Sequence, residues 1–245
     1  MFKKISIIGS GNVANWYYQT LLHNLNGDSE IQQVSARDLN PLFPDADLYI
    51  LAVKDDVYES VISHIPFKMK IAVHTSGSLP IYLLEPKAYH FGTLYPFQTI
   101  NFPKGTIYNP NLKVPICVEG DQGSTTQLLC DFAKLFSSMV FQINFEQRET
   151  IHLAAVFASN FTTIMYDIGF QILKTKNIDW NIMFPLLEET LNKTKSERPI
   201  TCLTGPAKRG DFTIMDKHLI ELNKTPFEEI YRLMSDFILQ QELKH

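Results

Sequence analysis

The chain has 245 residues, with 22 lysines and arginines against 26 aspartates and glutamates, a formal net charge of −4 and 45% hydrophobic side chains. A chain of this length buries roughly 70–75% of the surface it exposes when unfolded, which excludes a small scaffold dependent on staples. The near-neutral balance supplies no basic face of the kind that phosphate-backbone binding requires, so no nucleic acid partner is expected.

Through residue 144 short β-rich runs alternate with helical spacing. Strands are predicted at residues 3–8, 31–35, 48–53, 71–74, near 93–98, 115–119 and 140–144, several of them continuously apolar, as strands covered on both faces are. Helical periodicity occupies 13–25, 57–65 and 124–136. Strand, helix and strand in repetition predict right-handed crossovers and helices on both sheet faces. From residue 145 the β runs disappear. Asn144 is a predicted N-cap with Gln147 three residues on, a variant of the capping box that opens a helix to about residue 174. Further helices are predicted at 180–195, 212–222 and 226–243, the last with Pro226 in its first turn. The expected division is an α/β domain over 1–144 and an all-helical domain over 145–245.

Cys117, Cys130 and Cys202 are far apart and form no Cys-x-x-Cys pair, so neither a zinc cluster nor a disulfide framework is expected. His64, His90 and His218 also lack ligand spacing, and no metal site is expected. The N-terminus carries no secretory pattern. The best apolar run, 151–161, is interrupted by His152, Ser159 and Asn160 and falls short of the roughly 20 residues a bilayer requires. A cytoplasmic protein without a membrane partner is expected.

The strongest chemical signal is Ile5-Ser6-Ile7-Ile8-Gly9-Ser10-Gly11-Asn12-Val13-Ala14, an apolar strand running into Gly-x-Gly-x-x-Ala and then a helix. Gly9 would make the tight turn, Gly11 would leave room for a diphosphate, and Ala14 would let the helix pack closely on the strand. Free N–H groups and the positive end of the helix dipole would face the phosphates. The alternative is a tight structural turn alone. After the second strand, Ser35 and Arg37 offer a hydroxyl and a fork of donors suited to a 2′-phosphate, which favours NADP, while Asp38 keeps NAD open. Val53 and Lys54 follow the third predicted strand, at the end where open sheets bind ligands, and would contact the cofactor, a solvent-exposed Lys54 being the alternative. His74, Thr75 and Ser76 follow the fourth and would line the nicotinamide end, whereas Ser78 reads as an N-cap ahead of Pro80.

On the long helix, His152, Ser159, Thr163 and Tyr166 share one polar stripe around a 3.6-residue helix, with Asn160 about 80° from His152. Hydride transfer to C=O or C=N needs a proton source, and His152 is the candidate because histidine titrates near neutrality. Asn160 would polarise the reacting group. The alternative for His152 is a hydrogen-bonded structural role. Thr204, Gly205, Arg209 and Asp211 lie in a loop that would contact substrate, with Asp211 alternatively capping the helix at Phe212 or pairing with Arg209. The expected substrate pocket lies among 74–76, 152–160 and 204–211.

Together Gly9–Ala14, Leu51-Ala52-Val53-Lys54-Asp55, His74-Thr75-Ser76-Gly77-Ser78, the His152–Asn160 stretch and Thr204–Asp211 resemble the Rossmann-like oxidoreductase family that carries the domain of unknown function DUF 2520. That family is similar in architecture to pyrroline-5-carboxylate reductases and β-hydroxyacid dehydrogenases. The resemblance implies an N-terminal NADP-binding domain, a helical C-terminal domain and a homodimer formed through the helices. β-Hydroxyacid dehydrogenases place a Lys four residues before the Asn of the interdomain helix. Val156 stands there in this chain, so a Lys-centred mechanism does not transfer. The expected activity is NADP-dependent oxidation or reduction of a small carbonyl or imine metabolite. The competing expectation is a catalytically silent NADP-binding sensor or assembly module.

Overall fold

A computed structural model describes residues 2–25 and 27–242. Strands β1 (Lys4–Ile8), β2 (Glu30–Val34), β3 (Leu48–Leu51), β4 (Met69–His74), β5 (Ala88–Pro96), β6 (Ile116–Gly120) and β7 (Val140–Gln142) form one sheet in the order β2-β1-β3-β4-β5-β6-β7. Neighbours are parallel except β5 and β6, which pair antiparallel from Gly92↔Gly120 to Pro96↔Ile116. This corrects the expectation of uniform crossovers. Between β4 and β5 the chain has only a 3₁₀ segment, Ile81–Lys87, interrupted by Pro86, which removes a helical N–H donor.

Alternation along the strands sorts the core into two layers. Ile5, Ile7, Ile50, Val73 and Leu94 pack with Tyr17 and Leu21 of α1 (Asn12–Leu25) and with Leu129 and Phe132 of α3 (Gly123–Ala133). Ile8, Tyr49, Leu51 and Ala72 face the other way, onto Tyr58 and Ile62 of the short α2 (Tyr58–Ser63) and onto Leu84. Burying each such aliphatic side chain stabilises the fold by about 1.5–3 kcal/mol. The apolar residues of α1 at 14, 17, 21 and 25 are all buried, the three- and four-residue spacing of a helix laid on a sheet.

Helix α4 (Phe145–Ala155) opens on the predicted capping box. Asn144 accepts from the Gln147 N–H, and the Gln147 side chain accepts from the Asn144 N–H, each at 2.9 Å. The next six residues, Val156–Phe161, form a π turn, and α5 (Thr162–Lys174) follows. The Thr162 hydroxyl donates to the Phe157 carbonyl five residues back. The 3.6-residue period behind the expected stripe of His152, Ser159, Thr163 and Tyr166 therefore does not run through unbroken.

The chain divides into two compact units, Met1–Val156 and Phe157–His245. Helix α4 thus counts with the sheet, twelve residues beyond the division expected at 144/145, and Arg148 gives the reason. Its guanidinium is fully buried, donates to the Leu79 carbonyl at 2.9 and 3.2 Å, and pairs with Glu119 of β6 at 3.3 Å.

The second unit contains α5, α6 (Phe184–Ser196), α7 (Pro206–Arg209), α8 (Phe212–Leu222) and α9 (Phe227–Glu242). The predicted end of the last helix at residue 243 lies outside the described residues. Among the described residues of this unit only Met215 and Ser235 are buried, while Phe157, Ile182, Leu191 and Leu233 are each at least 60% exposed. The continuous helical stretch Phe145–Lys174 is long and apolar enough, by length and composition only, to cross a membrane, an 18-residue window within it having a mean hydropathy of 1.2 and no buried residue. Its polar residues do not lower the average as far as the interruptions in sequence suggested. A helix whose apolar face is covered by another chain has the same length and composition.

Candidate dinucleotide-binding edge and its histidine

The carboxyl ends of β1, β2, β3, β4 and β5 lie along one edge of the sheet, where open parallel sheets hold their ligands. β1 sits between β2 and β3, so the chain direction switches beside it. There the backbone turns at Gly9 with φ of +141°, a conformation an L side chain rarely adopts. A Cβ on Gly9 would also run into the Ala52 carbonyl oxygen. The Gly9 N–H donates to the Val34 carbonyl and the Ala52 N–H to the Ile8 carbonyl, both at 2.8 Å, which welds the turn to the ends of β2 and β3. Gly11 has no atom within 4 Å of where its Cβ would stand. Helix α1 begins at the next residue, so its free N–H groups lie beside that open space.

Ser10, Gly11 and Asn12 are exposed, Val13 is half-buried, and Ala14 is buried against Gly9 as the close packing of helix and strand requires. Gln33 supports the turn from β2, donating to the Gly9 carbonyl at 3.0 Å and to Asn15 Oδ1 at 2.9 Å. Asn15 in turn donates to the Phe102 carbonyl at 3.2 Å. Sequence reasoning read Gln33 only as a strand residue. With Gln32 and Gln33 adjacent between Ile31 and Val34, β2 shows no apolar alternation that would have marked it.

Ser35 and Arg37 are exposed just past β2, the Ser35 hydroxyl accepting from the Arg37 N–H at 3.2 Å. Among the described residues the Arg37 guanidinium forms no ion pair with Asp38, whose carboxylate accepts from the Asn40 N–H instead. Val53 is half-buried and Lys54 exposed at the end of β3.

The loop after β4 is organised by acceptors that the sequence did not single out. Asp55 accepts from the hydroxyls of Ser76, at 2.9 Å, and of Ser78. Ser78 is thereby turned away from the N-cap expected of it, and Pro80 holds the N-cap of the 3₁₀ segment with no side-chain bond. The Thr75 hydroxyl reaches back to the Leu51 carbonyl at 3.5 Å. His74, expected to contact substrate, is instead fully buried. Its Nδ1 accepts from the Ser76 N–H at 3.2 Å, and its ring meets Tyr58 edge-on. Burial, with the Arg148 charge adding to it, pushes its pKa down to about 3. The ring supports the loop from beneath as a neutral group.

His152 is exposed on α4, and its Nδ1 lies 3.1 Å from Tyr95 Oη near the end of β5. Gly77 packs on this pair. A Cβ there would stand 2.9 Å from His152 Nδ1 and 3.0 Å from Tyr95 Cζ. Arg148, one turn earlier on the same helix, donates to the Leu79 and Ser76 carbonyls, so helix and loop are fastened at two successive turns. Burial outweighs the Arg148 charge at Glu119 and raises the carboxyl pKa above its ordinary value. The first unit therefore assembles residues 9–14, 35, 37, 53–54, 75–76 and 152 along one edge. The sequence missed Tyr95 and Arg148. The i, i+4 spacing of Arg148 and His152 was the available signal for a shared face.

The remaining candidates belong to the second unit. Asn160 is exposed in the π turn, and the half-buried Ser159 accepts at its carbonyl from the Thr163 hydroxyl. Thr204 and Arg209 are exposed, and Gly205 is half-buried at φ +111°. Asp211 caps α8 by accepting from the Ile214 N–H at 3.2 Å, and no Arg209–Asp211 ion pair forms among the described residues. The 204–207 loop borders an apolar cavity of about 280 Å³ lined by Met165, Ile168, Ile230 and Met234. Among the described residues there is no His, Cys, Asp and Glu group able to hold a metal ion.

A glycine turn feeding a helix beside the switch point of a mainly parallel sheet, followed by an all-helical unit, defines a Rossmann-like protein of the dehydrogenase type. The chain belongs to the DUF2520 family, whose model, a domain of unknown function, matches residues 114–238. The structure is similar to a putative NADP oxidoreductase from Bacteroides fragilis, 30% identical over 97% of this chain and 98% of that one, with a TM-score of 0.82. A protein from Thermotoga maritima, 20% identical over 97% of this chain and 99% of that one, has a TM-score of 0.68. An imine reductase from Bacillus cereus shares the fold at 12% identity and a TM-score of 0.52, over 96% of this chain and 94% of that one. No curated protein matches the chain.

Proposed function

We propose that the protein is an NADP-dependent oxidoreductase acting on a small carbonyl or imine compound. The observation that carries this reading is the turn at Gly9–Gly11. It combines a backbone no side chain fits, an open space before the first turn of α1, and a sheet edge on which His152 stands. When bound, the dinucleotide supplies the hydride. The chain holds its diphosphate on the N–H groups of Gly11, Asn12 and Val13, and Ser35 and Arg37 grip the 2′-phosphate with a charge-assisted fork. Val53, Lys54, Thr75 and Ser76 border the nicotinamide end. His152 gives a proton to the substrate oxygen or nitrogen as the adjacent carbon is reduced.

A second copy of the chain covers the helical unit. Support comes from the second unit itself, whose large apolar side chains are exposed in a lone protomer. An apolar surface of that extent marks an interaction face.

Calorimetric titration with NADPH, NADP⁺, NADH and NAD⁺ tests the reading. Gly11→Leu is expected to abolish binding with the fold intact, and retained affinity would refute the phosphate role of the turn. A screen of carbonyl and imine compounds followed by NADPH absorbance identifies the substrate class. Tight NADPH binding with turnover unchanged in His152→Ala would favour a different proton donor. Light scattering should return twice the mass of one chain.

A further inference from the structure

Among the described residues His152 is held at Nδ1. Tyr95 Oη lies 3.1 Å from Nδ1, and the two rings meet edge to face with centroids 6.2 Å apart. The buried Gly77 backbone closes over the same nitrogen, and Arg148 fastens that loop to α4 through the Ser76 and Leu79 carbonyls. Strand, loop and helix thus converge on Nδ1 and leave the opposite ring nitrogen, Nε2, outside the arrangement.

We propose that Tyr95 is a positioning residue, whose hydroxyl engages His152 Nδ1 so that Nε2 is the nitrogen that exchanges a proton with substrate. This rests on the reading of His152 as proton donor given above. A phenol suits the task because it donates to a bare ring nitrogen and accepts from a protonated one. It therefore follows Nδ1 through both charge states of the imidazole. Burial first, and Cys117 second, push the Tyr95 phenol up to about 12, which keeps the hydroxyl protonated. During reduction the Nε2–H bond of the imidazolium breaks as a new O–H or N–H bond forms on the substrate, whose carbon accepts the hydride. The ring is left neutral with its proton on Nδ1, bonded to Tyr95 Oη, and solvent restores the proton on Nε2.

Tyr95→Phe keeps the ring packing and removes the hydroxyl alone. Ring-nitrogen NMR of the full chain labelled with ¹⁵N-histidine is the primary measurement. With Nδ1–H donating to the Tyr95 oxygen, the form that proton transfer from Nε2 leaves, the neutral His152 ring is expected to hold its proton on Nδ1 as one tautomer. In Tyr95→Phe both nitrogen signals should move toward the averaged values of an unrestrained ring. Unchanged signals would overturn the proposal. With a substrate from the carbonyl and imine screen, Tyr95→Phe should lower kcat about tenfold and leave NADPH affinity unaltered. The same change should have no further effect in a His152→Ala background, and an additive loss would count against action through the histidine. Should Tyr95→Phe not fold, Gly77→Ala provides the second variant, because its new methyl presses on the ring and should displace the same signals. Failure of the wild-type chain to bind any nicotinamide nucleotide would refute the oxidoreductase reading, while the tautomer result would still decide the role of Tyr95.

Discussion

Acid should weaken the fold through His74. The ring is fully buried, accepts the Ser76 N–H, and has its pKa pushed from 6.5 down to about 3 by burial and by the Arg148 charge. An unfolded chain takes a proton on this ring below pH 6.5, and the folded chain does not until about pH 3. Its contribution to stability is therefore complete above pH 6.5 and is lost as pH falls toward 3. At 1.36 kcal/mol per pH unit the whole loss is roughly 5 kcal/mol, of which about 2 kcal/mol falls between pH 7 and pH 5. His74→Asn removes the titration and places an amide oxygen where Nδ1 accepts the Ser76 N–H. Urea denaturation of both proteins at pH 7 and pH 5, followed by far-ultraviolet circular dichroism, isolates the effect, since all other titrating groups are shared. The wild type should lose about 2 kcal/mol more than His74→Asn over that interval. Equal losses would mean that His74 is not held neutral by its surroundings.

At the phosphate turn, Gly9→Ala forces a methyl against the Ala52 carbonyl at φ +141° and should cost about 3 kcal/mol or more, read as a lowered thermal midpoint. Arg37→Ala should weaken NADPH about 10- to 100-fold by calorimetry while NADH changes little. Equal weakening of both would remove Arg37 from the 2′-phosphate. Arg148→Met leaves Glu119 and two loop carbonyls without their donor and should destabilise the chain by about 3–5 kcal/mol in urea. Glu119→Gln should cost less than Arg148→Met, because this carboxylate keeps part of its surface in water.

All seven strands and the starts of α1, α4 and α8 were legible in the sequence to within a few residues, apart from β5, which begins about five residues early. The reason is local. Apolar alternation, a capping box and an aspartate before Phe212 act over a few neighbouring positions. Strand direction is not local, and nothing in the apolar pattern of 116–120 distinguished antiparallel from parallel pairing with β5. The π turn was invisible for a related reason, since the expected polar stripe presupposed the very period that Val156–Phe161 breaks. The glycine turn stood out because its spacing alone sets the tight bend at Gly9 and the close packing of Ala14. Tyr95 did not, because its meaning depends on a helix 57 residues later arriving beside it. His74 and Ser78 were read by residue type as ligand contact and cap. Burial and the Asp55 carboxylate assign them to the scaffold of the loop.

The single reversal between β5 and β6 delimits the proposed ligand-binding rim. Because β6 and β7 run opposite to their five companions, their C-terminal ends open onto the far side of the sheet. The bay facing the phosphate turn is thus five strands wide, from Val34 at one bank to Pro96 at the other. Tyr95 stands at the last berth on that shore, one residue before the sheet turns its back.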